Sequence, residues 1–344
     1  MKAVWCWPES RGARYPFVTQ LLTAHGIDVV FAKSGSEREL EDLVSDADFL
    51  VVRRLPSISE RIIKAGKRLR LIQRVGGECG NIDIDAAAKA GILVATMPIA
   101  TDITVAEHTV ALMLALARRI FQAHRSVVNC EYERLGLKPI RTTETLMVAD
   151  WVNLSGPVAL YGKTLGLIGL GVIGKEAARR ARCFGMRILY YRRRRLTNDE
   201  EKELGVQYSS LHDLLRESDF VSLHVPHTAE TENMIGKKEL SLMKPTAYLV
   251  NTARGGVVNE DALYEALSKK TIAGAGLDVF REEPLPKSSP LIKLDNVILT
   301  PHTAARSSLE KAQIQWVVDN VVKCAKGEMP DHVVKAKNLN AVRS

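Results

Sequence analysis

Cysteine is scarce in this chain. Cys6, Cys79, Cys130, Cys183 and Cys324 are dispersed through 344 residues, odd in number and never in a C-x-x-C pair. That excludes a disulfide framework and a zinc ribbon, and it fits a reducing compartment with no bound metal. Long apolar runs are missing as well. The longest, Val105–Ala117, is interrupted by Glu107 and His108 and is too short to span a bilayer. The first ten residues, MKAVWCWPES, hold no apolar core of signal-peptide length, so a cytoplasmic protein without membrane contact is expected. Aromatic residues make up only 6%, and no basic stripe is interleaved with them. The net charge of +8 therefore does not imply nucleic-acid binding, because the basic residues are scattered except at 192–195. Repeats and low-complexity tracts are absent.

What remains is an ordinary globular composition, 46% hydrophobic and 26% charged, long enough for two domains with separate cores. The first hundred residues alternate strand and helix signals. Ala3–Trp5, Asp28–Phe31, Phe49–Val52, Leu69–Arg74 and Leu93–Ala95 read as strands. Tyr15–His25, Ser59–Ala65 and Asp83–Ala90 read as helices, with Gly26 and Gly91 as stops. Such alternation implies a parallel sheet covered on both faces. Thr104–His124 predicts one long helix, apolar nearly all round and so suited to burial between domains. Cys130–Pro157 is irregular and reads as an exposed arm. Strands follow at Thr164–Ile168, Arg187–Tyr191, Phe220–His224, Ala247–Asn251, Gly274–Val279 and Val297–Thr300, and Ser307–Gly327 closes the chain as an amphipathic helix.

The most informative stretch is YGKTLGLIGLGVIGKEAARRARCFGMRILYYRRRR, residues 161–195. An apolar strand enters Gly169-Leu170-Gly171-Val172-Ile173-Gly174, and a helix leaves it. That is the context in which G-x-G-x-x-G carries a mechanism. Gly169 permits the tight turn, Gly171 lets a pyrophosphate approach the backbone, and Gly174 lets helix and strand pack closely. The first helical residues, Val172 and Ile173, offer unpaired N–H groups and a positive dipole end to phosphates. The next strand ends where an acidic residue would hold a ribose 2′-hydroxyl. Arg192, Arg193, Arg194 and Arg195 stand there instead and suit a 2′-phosphate, so NADP(H) is the expected cofactor and NAD(H) the alternative.

Three polar residues follow apolar strands at the side where open α/β sheets bind ligands. Arg254 follows in NTARGG, Glu283 in GAGLDVFREEP and His302 in NVILTPH. An arginine holds a carboxylate through two parallel hydrogen bonds. A histidine donates and recovers a proton near neutral pH. A carboxylate bonded to that imidazole orients it. Hydride transfer to a 2-keto acid needs those three services and a nicotinamide.

At these residues the sequence resembles the D-isomer-specific 2-hydroxyacid dehydrogenases, from about Val51 to Val334. The densest motifs are GKTLGLIGLGVIG, NTARGG, AGLDVFREEP and LTPH. The resemblance implies two α/β domains with doubly wound parallel sheets. A Rossmann cofactor domain (103–302) is inserted in a flavodoxin-like substrate domain made from both chain ends (1–102 and 303–344). It implies Arg254, Glu283 and His302 as the catalytic set, Asp278 facing the nicotinamide carboxamide, Thr252 beside it, and Pro226 flanking the cofactor. It also implies a homodimer formed through the cofactor domain. The family's substrate-carboxylate turn falls on Gly76, Gly77 and Glu78, with His302 and Arg254 completing substrate binding. Here Glu78 replaces the expected second glycine. A carboxylate beside an anionic substrate weakens binding unless it turns away or pairs with a base such as Arg53 or Arg74.

Within the family the basic run resembles the NADPH-preferring glyoxylate and hydroxypyruvate reductases. The expected activity is hydride transfer from NADPH to a small 2-keto acid, giving a D-2-hydroxy acid. The chain ends soon after its closing helix, which is expected to set it apart from the long phosphoglycerate enzymes. The glutamine and asparagine pattern of formate oxidation is not matched. The alternatives are an NAD(H)-linked dehydrogenase of different substrate range and a dinucleotide-sensing corepressor-like protein.

Overall fold

A computed structural model describes residues 1–6, 16–53, 55–77, 79–97, 100–147, 149–154, 156–306 and 310–334. The chain divides into two compact units, Met1–Thr101 with Ser307–Ser344, and Asp102–Arg306.

The first unit is built on five parallel strands, β1 (Lys2–Trp5), β2 (Asp28–Phe31), β3 (Phe49–Val52), β4 (Leu71–Arg74) and β5 (Leu93–Ala95), in the order β2-β1-β3-β4-β5. This is the flavodoxin-like order. β3, Phe-Leu-Val-Val, is buried along its whole length, as a central parallel strand covered on both faces must be. Its alternate residues serve two cores. Leu50 and Val52 pack with Ile62, Ile72 and Val94, while Phe49 and Val51 pack with Trp5 and Leu22. The second core is completed by Ile314, Val317 and Val321 of the helix Glu310–Ala325, so residues from the far end of the chain belong to this unit. Asn320 fastens it by donating to Gln73 Oε1 at 2.9 Å.

The second unit carries seven parallel strands: β6 (Thr164–Ile168), β7 (Arg187–Tyr191), β8 (Gln207–Tyr208), β9 (Phe220–Leu223), β10 (Tyr248–Asn251), β11 (Gly274–Leu277) and β12 (Val297–Leu299). Their order is β12-β11-β10-β9-β6-β7-β8, the Rossmann arrangement extended by one strand. Strand order reverses beside β6, and the crevice outside its carboxyl end is where such sheets take a dinucleotide.

The helix expected over Thr104–His124 is two helices, Ala100–Ala117 and Ile120–Val128. Arg119 breaks it with a left-handed φ of 52°, and the Ala117 carbonyl accepts the Val158 N–H (2.8 Å). Ala106, Leu112, Met113 and Leu116 of the first helix enter the core of the second unit. Beyond the second helix, the described residues between 130 and 157 are mostly exposed and none is buried, with Glu131–Arg134 the one helix among them. Among the described residues no helix is long and apolar enough to cross a membrane, and no cluster of His, Cys, Asp and Glu is placed to hold a metal ion.

Candidate active site

The dinucleotide turn is shaped by what its glycines touch. Gly169 follows β6 with φ +95°, and a Cβ there would stand 2.5 Å from the His224 carbonyl oxygen. Gly171 is the N-cap of the helix Val172–Cys183. Val172 and Ile173 form its first turn, whose N–H groups have no partner within the helix. A Cβ on Gly174 would lie 2.6 Å from the Gly169 carbonyl oxygen, so the helix approaches the strand more closely than any side chain permits. Pro226 lies on the loop after β9, where its carbonyl accepts from Thr231 Oγ1 at 2.6 Å. Together these residues shape a glycine-lined turn that opens onto a helix N-terminus.

The basic run after β7 is not uniform. Arg195 is committed to the fold: it forms two hydrogen bonds to Glu201 (2.8 and 2.9 Å) and lies 5.5 Å from the Tyr208 ring centroid. The same carboxylate accepts from the buried Tyr190 hydroxyl at 2.7 Å. Arg192, Arg193 and Arg194 have no hydrogen bond or ion pair among the described residues, and Arg193 and Arg194 are exposed. Of the four guanidinium groups expected to meet a 2′-phosphate, three are available.

Arg254, Glu283 and His302 line one cavity of about 330 Å³. Each stands on a turn leaving a strand. Arg254 follows β10, and its turn is held by Asn251, whose side chain donates to the Arg254 carbonyl (2.9 Å) and accepts from the Ala253 N–H (3.0 Å). Gly255 must be glycine, since a Cβ would lie 1.9 Å from the Phe280 carbonyl carbon. That close approach brings the turns after β10 and β11 together. Glu283 is fixed by the Phe280 N–H, which donates to Oε1 at 3.1 Å, and its Oε2 meets His302 Nδ1 at 2.6 Å. The ionised carboxylate accepts, so Nδ1 carries a proton and Nε2 is the nitrogen left for the cavity. His302 itself has φ +51°, a left-handed conformation costly for a side-chain-bearing residue, of the kind found at functional sites. Its N–H donates to the Asp278 carbonyl at 2.8 Å.

His224, just after β9, is a different kind of histidine. Its residue keeps some exposure, yet desolvation dominates the imidazole and pushes its pKa down to about 4, leaving it neutral at working pH. Its Nε2 bonds Ser222 Oγ at 2.9 Å.

A family profile described as D-isomer specific 2-hydroxyacid dehydrogenase, NAD binding domain, matches residues 110–304. A glyoxylate reductase of Korarchaeum cryptofilum is 43% identical over 87% of this chain and 86% of its own length. A D-3-phosphoglycerate dehydrogenase of Methanocaldococcus jannaschii is 40% identical over 91% of this chain, which spans only 56% of that protein. Among solved structures, an acyclic imino acid reductase in complex with NADPH and D-Arg is 30% identical with a TM-score of 0.66, covering 97% of this chain and 100% of its own. The chain belongs to the D-isomer specific 2-hydroxyacid dehydrogenase family. Its fold class of two parallel-sheet α/β units is the one expected from the sequence.

Thr252 is buried and shares a 2.9 Å hydrogen bond with Thr109 Oγ1. Asp278 has no solvent exposure. Its Oδ1 accepts from Thr300 Oγ1 (2.6 Å) and the Thr303 N–H (2.9 Å), and its Oδ2 from the Ala304 N–H (2.9 Å). The carboxylate thus clamps the loop carrying His302, a service the sequence reading did not anticipate. The clamped segment lies within the second unit, Asp102–Arg306. In the other unit Gly76 has φ +132°, and a Cβ would sit 2.9 Å from Arg74 Nη1. Arg74 is buried, bonding Asn81 and the Val75 carbonyl. Gly77 continues the same bend, and Glu78 lies outside the described residues. His227, Glu232 and Arg281 also line the Arg254 cavity, although no reading of the sequence had singled them out.

Proposed function

We propose that this dehydrogenase is an NADPH-dependent reductase of small 2-keto acids of the glyoxylate and hydroxypyruvate type, giving D-2-hydroxy acids. The observation that carries the reading is one cavity lined by Arg254 and by the bonded pair His302–Glu283. The glyoxylate reductase relative, matched over most of both lengths, supports the substrate class. Arg192, Arg193 and Arg194 after β7, without a hydrogen bond among the described residues, and the NADPH complex of a solved relative support the cofactor. NAD(H)-linked reduction is the alternative that the family leaves open.

Nicotinamide supplies the hydride. The glycine turn and the helix N-terminus beyond it would hold the pyrophosphate, and Arg192, Arg193 and Arg194 would meet the 2′-phosphate. Asp278 and Thr252 support the end that carries the carboxamide. Arg254 grips the substrate carboxylate and polarises the adjoining carbonyl. His302, when protonated on both ring nitrogens, gives the Nε2 proton to the carbonyl oxygen as it becomes a hydroxyl, and Glu283 steadies the imidazole through Nδ1. The exposed apolar side chains Ile120, Phe121, Val127 and Val128, continued by Leu135 and Ile140 on the arm, support a homodimer. Five unpaired thiols support a reducing, cytoplasmic setting.

The test is nicotinamide absorbance with purified protein, NADPH or NADH, and a panel including glyoxylate, hydroxypyruvate, pyruvate and longer 2-keto acids, with chiral analysis of the product. Oxidation of NADPH by glyoxylate or hydroxypyruvate is expected. An inert panel, or an L-product, would refute the assignment.

A further inference from the structure

A second histidine–carboxylate pair faces the cavity of Arg254 and His302. His227 and Glu232 both line it, and His227 Nε2 is bonded to Glu232 Oε2. A carboxylate that is ionised only accepts, so this nitrogen carries the proton. The imidazole lies against the second glycine of NTARGG: a Cβ on Gly256 would stand 2.5 Å from Nε2 and 2.7 Å from Cε1. The neighbouring backbone is fastened too. The Asn233 N–H donates to the Gly256 carbonyl (2.8 Å), the Ile235 N–H to the Val257 carbonyl (3.1 Å), and the Asn259 N–H to the Ile235 carbonyl (3.0 Å). Residues 227–235 are a splint along residues 254–259.

Two consecutive glycines give the turn after Arg254 no side chains with which to lock itself. Gly255 is braced by the Phe280–Arg281 backbone, and Gly256 by the His227 ring. We infer that His227, held by Glu232, is a positioning residue for Arg254, fixing the turn from which the guanidinium reaches the substrate carboxylate. The inference rests on Arg254 being the carboxylate anchor. Small displacements of such an anchor lower the population of productive substrate poses, so the effect falls on the keto acid rather than on the dinucleotide.

Steady-state kinetics of the full-length protein with glyoxylate and NADPH, beside melting temperatures, test this. His227→Ala should raise the glyoxylate KM roughly tenfold, the scale of one lost charge-assisted hydrogen bond, with the NADPH KM unchanged. Glu232→Ala should do the same, and Glu232→Gln, which keeps an acceptor oxygen, should recover most of the loss. The double variant His227→Ala/Glu232→Ala should be no worse than either single one, because the pair acts as a unit. Gly256→Ala should harm the parent protein more than it harms His227→Ala, where the ring is gone. Arg254→Lys run in parallel separates the two readings. If it leaves the glyoxylate KM unchanged, the anchor assignment fails. If it raises that KM while His227→Ala does not, the positioning inference alone fails. Additive losses in the double variant, or equal rises for glyoxylate and NADPH with a lowered melting temperature, would also overturn it.

Discussion

Arg192 and Arg195 are three residues apart in one basic run, yet their surroundings predict different consequences of removing them. Arg192 has no hydrogen bond or ion pair among the described residues and stands at the end of the strand that follows the glycine-rich turn. Arg195 is spent on Glu201 and the Tyr208 ring. One or two charge-assisted hydrogen bonds to a 2′-phosphate, each about 1.5–3 kcal/mol, correspond to roughly one to three powers of ten in kcat/KM for NADPH over NADH. Arg192→Asp should erase or invert that ratio. Arg195→Ala should leave the ratio intact and lower the melting temperature slightly. Glu200 refines the test, for its carboxyl is held below the ordinary range by the Thr197 backbone and side chain, with smaller contributions from Lys175 and Arg192. It places a negative charge in the same neighbourhood. Glu200→Gln can keep the capping box with Thr197 while deleting that charge, so NADPH selectivity should rise. Initial rates with both cofactors at fixed ionic strength measure all three variants. Equal efficiencies in the parent protein, or a ratio that collapses in Arg195→Ala and survives in Arg192→Asp, would refute the reasoning.

The parallel strands were legible because buried ones are short apolar runs. Phe49–Val52 and Thr164–Ile168 appear within the structure as the sequence delimits them. Strand ends facing the site were overread by one or two residues. Val279 and Thr300 continue the apolar pattern, but their segments have already left the ladder to form the turns carrying Glu283 and His302. Short amphipathic helices passed unnoticed, although their caps were in view. Ser36, Thr197, Ser210 and Asn259 each accept an N–H in the first turn. The break at Arg119 left no periodic signal, because a single left-handed residue between two helices does not disturb composition. That Arg254, Glu283 and His302 follow neighbouring strand ends was readable from the sequence, and the three line one cavity. What a glycine touches was not: the demands of Gly255 on Phe280 and of Gly256 on His227 exist only after the turns are folded together.

His302→Ala should slow turnover by roughly two to four powers of ten while NADPH binding, followed by fluorescence titration, is retained. Glu283→Gln keeps an acceptor for Nδ1 and should cost less than Glu283→Ala; equal losses would remove orientation from its role. Burial alone would raise the Glu39 carboxyl, but hydrogen bonds from the Ser34 side chain and the Lys33, Ser34 and Gly35 N–H groups outweigh it and take the pKa down to about 2 from the ordinary 4.5. That depressed value gives stability fully present above pH 4.5 and lost between 4.5 and about 2, so Glu39→Gln should flatten the melting curve's acid limb there, and an unchanged limb would exclude the contribution. The last expectation concerns assembly. Phe121 and Val128 are 50% and 63% exposed on a helix with no fully buried residue, so a charge there spares the core but opposes burial against a second copy. Phe121→Asp combined with Val128→Asp should convert a dimer to a folded monomer by light scattering, and a parent protein already monomeric at working concentration would remove the homodimer from the proposal.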